Sequence, residues 1–288
     1  MGYRSLAEIA SYGQEKGLSF WEIIVMGDMR ERDVTMQESM EKMRAMYEAM
    51  KKADAGYEGK LRSSSRLVGG DGEKVQEYFS KGNSLCGEFI GKAIERAIKM
   101  GESNACMKRI VAAPTAGSCG VLPAVLLTME EMLSFSQEQM IQALYVAAGI
   151  GEVIAYRAFI AGAQGGCQAE IGSASAMAAG AAAYLKGAEH EGIIHAAALA
   201  LKNLLGLACD PVAGLVEVPC VKRNVLGAVN ALTSADLVLA GIRSAIPPDE
   251  VIDAMRAIGL SMSSAIRETG EGGLAATPTG VEIAKRLK

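Results

Sequence analysis

AGAQGGCQAEIGSASAMAAGAAAYLKGAEHEGIIHAAALALK, residues 161–202, sets the fold class of the chain. Its apolar positions are mostly Ala, Gly, Leu and Ile and do not alternate with polar ones, so it is not a half-buried strand. Its length exceeds that of a buried strand. The reading is a long buried helix over 172–206, matched by another over 137–163. The opening part, 161–176, is different. It is Gly- and Ser-rich and carries Cys167. A break inside buried helical sequence is costly and marks a site.

The composition extends this reading to the whole chain. Of 288 residues, 50% are hydrophobic and only 5% aromatic, with 33 Gly and 16 Met. Small residues and Met suit a helix-rich interior better than a Val-, Ile- and Tyr-rich sheet. No alternating strand pattern and no internal repeat is apparent, so the expectation is an all-α fold: one helical domain, 1–288, with Gly/Pro-rich loops breaking its buried helices. Net charge is −4 and the pI about 5.5. No basic stripe for nucleic acid is present. The N-terminus is polar and unlike a signal peptide, so a cytoplasmic chain is expected. The uncharged run from Ile110 to Met129 is interrupted by Pro114, Gly117, Gly120 and Pro123. In lipid such breaks would leave backbone groups unpaired, so no membrane span is expected.

Helix boundaries can be read locally. Ser19 with Glu22, Thr35 with Glu38, and Ser136 with Gln139 have the spacing of capping boxes. Met36, Met40, Met43, Met46 and Met50 recur at helical spacing, as a packing face would. Residues 51–74 read as a long irregular segment, and Glu73 to Met100 as a helix pair. Pro247 and Pro248 open a helix that Gly259 is expected to close. The segment GEGGLAATPTG, 270–280, reads as irregular.

Three Gly-rich breaks carry the chemistry: 112–120, 161–176 and 209–220, each with at least one cysteine. Six cysteines (86, 106, 119, 167, 209 and 220) in a chain this long are not a disulfide framework. No CxxC pair marks a structural zinc site and no ferredoxin run is present. Cys167, Cys209 and Cys220 place three thiols in two non-helical turns. On spacing alone they are either iron–sulfur ligands or small buried hydrophobes. Cys119 lies in PTAGSCG, read either as a nest of N–H groups for a carboxylate or as a nucleophile whose base is not evident. Cys86 and Cys106 are assigned to the core. His195, on an apolar helix, reads as a core histidine and His190 as part of a solvated turn. Glu170 either supports the thiol site or caps a helix. Lys222 and Arg223 either face the thiols or are solvated.

APTAGSCGVLPAVL (113–126), GCQAEIGSASAMAAG (166–180) and CDPVAGLVEVPCVKRN (209–224) strongly resemble the iron–sulfur-dependent L-serine dehydratases, in the α chain of their split bacterial form. SSSRLVGGDG near the start and GGLAATPTG near the end extend the likeness over nearly the whole chain. The resemblance implies an all-α catalytic domain and a [4Fe-4S] cluster on Cys167, Cys209 and Cys220. Cys119 stands where related sequences carry Ala in a TNGAAG loop, and is not taken as a ligand. Thr115, Gly117 and Ser118 would face the substrate. The implied reaction is L-serine to pyruvate and ammonia, part of amino-acid degradation and gluconeogenesis, with the cluster as Lewis acid on the hydroxyl. Alternatives are a related lyase acting on L-threonine or L-cysteine, and a non-catalytic helical partner subunit. The SSSHT-type domain of single-chain members and their terminal cysteine have no counterpart here. The implied partner is therefore a separate β chain whose motif histidine would be the base, in a heterodimer or higher oligomer. No β/α alternation supports pyridoxal phosphate.

Overall fold

The computed structural model describes residues 2–82 and 84–287. Among the described residues thirteen α-helices follow in order: α1 (Leu6–Lys16), α2 (Phe20–Arg32), α3 (Met36–Ala55), α4 (Asp71–Ser80), α5 (Gly87–Ala105), α6 (Val121–Leu133), α7 (Gln137–Arg157), the single turn α8 (Gly162–Gly165), α9 (Ser173–Leu185), α10 (His190–Lys202), α11 (Cys220–Leu239), α12 (Pro248–Ser261) and α13 (Pro278–Arg286). Among the described residues there is no strand, and the only β pairing is one isolated parallel bridge, Cys209 to Arg267. The fold is all-α.

The caps behave as their sequence spacing requires. Thr35 N–H donates to Glu38 at 2.8 Å and Glu38 N–H to the Thr35 hydroxyl at 3.2 Å, with the same reciprocal pair at Ser136 and Gln139. Two long helices are shorter than expected. The 137–163 run ends at Arg157, and 172–206 is two helices reversing at Gly187. Gly187 has φ +86°, a conformation that L side chains rarely adopt. The irregular segment is also shorter than expected, because α3 continues to Ala55. In the tail, Thr277 caps α13, so 278–280 is already helical.

α9 is the axis of the fold. Every residue from Ser173 to Ala183 is buried, and α6, α7, α10 and α11 pack around it. Close approach depends on the absence of side chains: a Cβ on Gly180 would come within 2.2 Å of Ile150 Cδ1. One large core runs from Leu6 to Met255, with a small satellite of Val68, Ile98 and Val221. The apolar segment Ala116–Leu133 is long enough to cross a membrane, but 67% of it is buried against other helices. The Met stripe of α3 is only partly a packing face. Met50 is buried and Met40 and Met43 lean on the core, whereas Met36 and Met46 are exposed.

Gly259 does not end its helix, since α12 continues to Ser261. It is a packing position, where a Cβ would meet Gly165 Cα at 2.9 Å. Cys86 is exposed and Cys106 half-buried, so neither is a core residue. His190 is no solvated turn. It begins α10, faces the Phe20 ring at 6.2 Å, and buries its Nε2.

Candidate active site

Non-helical segments gather near the starts of α9 and α11, and buried side chains pin each of them. The 57–70 loop is held by two carboxylates. Glu102 accepts from the N–H groups of Asp71 and Gly72 at 2.8 and 3.0 Å and from the Tyr57 hydroxyl at 2.6 Å. Glu217 accepts from the hydroxyls of Ser63, at 2.9 Å, and Ser65. The 112–120 loop is held by Asn224. Its Nδ2 donates to Gly117 O at 2.9 Å and to Cys220 O at 3.0 Å, and its Oδ1 accepts from Gly120 N–H at 2.8 Å. The 263–277 segment straps across Cys209. Cys209 N–H donates to Ile266 O at 2.8 Å, Glu268 N–H donates to Cys209 O at 2.7 Å, and Leu274 N–H donates to Asp210 at 2.8 Å.

Within this frame Cys167, Cys209 and Cys220 are all buried and close enough that charge on Cys167 raises the pKa of the other two. Cys167 precedes a π-helical turn, Gln168–Gly172, that leads into α9. Such turns recur at functional sites because they re-aim side chains. Gln168 fixes this turn. Its N–H donates to Leu207 O, its Oε1 accepts from Gly206 N–H and its Nε2 donates to Met255 O, at 3.1, 2.9 and 3.1 Å. Cys220 is the first residue of α11. The hydrogen bond with Cys209 lowers the Cys167 pKa, with the Arg223 guanidinium also contributing. The same hydrogen bond, then burial, raises that of Cys209. Burial pushes Cys220 up to about 12. Arg223 donates to Asp210 at 2.9 Å and to Ala208 O at 2.7 Å, so it belongs to the site. Lys222 instead turns away, to Asp71 at 2.6 Å.

Thr115, Gly117 and Ser118 lie against the same place. The Thr115 hydroxyl donates to Glu170 Oε1 at 2.8 Å and lies 3.1 Å from the Ser118 hydroxyl, which is fully buried. The N–H groups of Ser118, Cys119 and Gly120 are already spent, on Thr115 O, Ala116 O and Asn224, so they form no free anion nest. Burial raises the Cys119 thiol to about 12 and its sulfur faces Met100 O at 3.8 Å, which removes it as a nucleophile. Glu170 is the member whose place spacing left open. Its Oε2 lies 3.8 Å from Cys209 Sγ. Its pKa is raised by burial and, less, by Glu268, against the hydrogen bonds of Thr115 and Cys209. Asn224, Asp210, Glu102 and Glu217 carried no signal beyond being polar residues next to Gly-rich breaks.

Both histidines lie elsewhere. His195 Nδ1 accepts from Ser244 N–H at 3.2 Å, and its Nε2 is 3.6 Å from Glu191. Among the described residues no group of three His, Cys, Asp or Glu side chains closes around a single-ion position. The donor chemistry is that of a sulfur-ligated group: three buried thiols on separate segments, one with its thiolate favoured, and a guanidinium to offset charge. Multi-iron clusters are held by such thiolates, each donor taking a different iron.

Three buried thiols from separate segments at the loop end of an all-α fold define the class of protein. The chain matches the serine dehydratase alpha chain family over residues 15–275, and it belongs to that family. It is 48% identical over 285 residues to the probable L-serine dehydratase, alpha chain, of Bacillus subtilis, covering 99% of this chain and 95% of the relative. It is 41% identical over 277 residues to the L-serine dehydratase, alpha chain, of Peptoniphilus asaccharolyticus, covering 96% and 95%. L-serine dehydratase 2 of Escherichia coli is 34% identical over 282 residues, 95% of this chain but 61% of that longer protein.

Proposed function

We propose that this chain is the α chain of an L-serine dehydratase, an L-serine ammonia-lyase converting L-serine to pyruvate and ammonia with a [4Fe-4S] cluster and no pyridoxal phosphate. The observation that carries the reading is the meeting of three buried thiols with Thr115 and Glu170 at one end of the helical core. Relatives named for serine dehydration support the substrate class. Cys167, Cys209 and Cys220 would hold the cluster, which when bound supplies a Lewis acid for the departure of a hydroxyl group.

The chain's own residues prepare that place. Arg223, fixed by Asp210 and Ala208 O, offsets the negative charge of thiolates in a buried setting. Asn224 ties the 112–120 loop to the first turn of α11, so Gly117 and Cys220 keep a constant relation. Thr115 and Gly117 form the wall against which a small amino acid rests, and the buried Ser118 hydroxyl braces Thr115 from behind. Removal of the Cα proton needs a closely positioned base. Both histidines of this chain lie away from the site, His195 on the Ser244 N–H and His190 with its Nε2 buried beside Phe20, and the base is assigned to a partner β chain. Loss of the Cα proton and of the hydroxyl leaves aminoacrylate, which tautomerises and hydrolyses in water to pyruvate and ammonia.

The test is anaerobic co-purification with the β chain, followed by pyruvate release from L-serine, L-threonine and L-cysteine. The expected result is turnover favouring L-serine that requires both chains. Full turnover by the α chain alone would overturn the assignment of the base. A higher kcat/KM for threonine or cysteine would make the protein a different lyase of the same build.

A further inference from the structure

We propose that Glu170, on the π-helical turn after Cys167, takes the α-ammonium group of the amino-acid substrate. The inference rests on the dehydratase reading above and extends it to a residue that sets substrate class. Glu170 is half-buried and, among the described residues, has no Lys, Arg or His in ion pair with it. The guanidinium in the site, Arg223, is committed to Asp210, Ala208 O and Cys167. A half-buried carboxyl that no cationic side chain meets is a place where an incoming ammonium group can pair.

The surroundings leave room for that cation. Thr115 donates to Oε1, and Cys209 Sγ lies 3.8 Å from Oε2. An ionised carboxylate has about four acceptor positions, so about two stay open. Two loops approach it with glycine: a Cβ on Gly117 would lie 3.2 Å from Oε1, and one on Gly162 2.7 Å from Oε2. A side chain on either would press on the carboxylate. Glu268 holds a left-handed backbone, φ +68°, on the strap that crosses Cys209. A residue without glycine's freedom in this conformation is held there by its surroundings. The place thus offers negative potential, one oriented carboxylate and little width. A primary ammonium group, compact and with three N–H donors, fits it.

The experiment compares wild-type and Glu170→Gln αβ holoenzyme, both prepared anaerobically. It reads iron per chain, KM and kcat for L-serine, and inhibition by 3-hydroxypropanoate, which is serine without its ammonium group. In the variant, iron is expected to be retained and the KM for serine to rise by about tenfold to a hundredfold, the value of a lost charge-assisted hydrogen bond. Inhibition by 3-hydroxypropanoate is expected to stay within about twofold, because that molecule never engages the carboxylate. Thr115→Val, which removes the hydrogen bond orienting Glu170, is expected to shift KM in the same sense by less, and serves if Glu170→Gln does not fold. An unchanged KM, loss of iron, or equal weakening of serine and 3-hydroxypropanoate would overturn the inference alone. Wild-type holoenzyme without serine turnover would overturn the dehydratase reading first.

Discussion

Cys119 and Cys86 show how burial sorts chemically identical residues. Cys119 has no exposed surface and its thiol is held at about 12, whereas Cys86 is exposed. Alkylation follows the accessible thiolate. Iodoacetamide under native conditions is therefore expected to label Cys86 first and leave Cys119 unmodified until unfolding, as peptide mass spectrometry would show. Glu102 is the residue on which the 57–70 loop depends. It is 1% exposed and accepts three hydrogen bonds at the start of α4. Glu102→Ala would leave two backbone donors and a phenol without their partner. The expected loss is about 2–4 kcal/mol, read by denaturant unfolding.

Among the elements, α12 holds the test of packing against propensity. Gly→Ala inside a helix ordinarily adds about 1 kcal/mol of stability. At Gly259 the new Cβ would meet backbone, Gly165 Cα at 2.9 Å, on the turn leading to Cys167. Gly259→Ala is therefore expected to lower the melting temperature, and an increase would contradict the close packing of α8 on α12. The cleft between α2, α3 and α7, about 370 Å³, tests electrostatics. There burial, with Glu31 and Asp28 beside it, raises the pKa of Glu152 above its ordinary 4.5. A carboxyl whose folded pKa is raised costs stability above that pKa and none below its unfolded value, so the penalty fades as pH falls toward about 4. Glu152→Gln is expected to stabilise at pH 7 by at most about 1 kcal/mol, since solvent still reaches the open side of the cleft and screens the charge. The gain should vanish near pH 4 in parallel melting curves.

At the scale of the whole molecule, helices were legible wherever their signals are local. Thr35 with Glu38 and Ser136 with Gln139 lie within one turn of each other, and the structure pairs them. Glycines were not legible, because one residue serves opposite ends: Gly187 reverses the chain and Gly259 packs inside a helix. Glu170 was legible as a polar residue near a thiol but not as a site member, since Thr115 and Cys209 lie 55 and 39 residues away. The same holds for the strap over Cys209, which a sequence scan sees only as a Gly-rich tail. In the proposed function three thiols from distant segments act as one ligand set. The most direct measurement is iron and acid-labile sulfide per chain after anaerobic purification, for the wild type and for Cys209→Ser. About four of each are expected in the wild type, with loss of most iron in the variant. A wild-type chain without iron, or a Cys209→Ser chain that keeps its full complement, would contradict it.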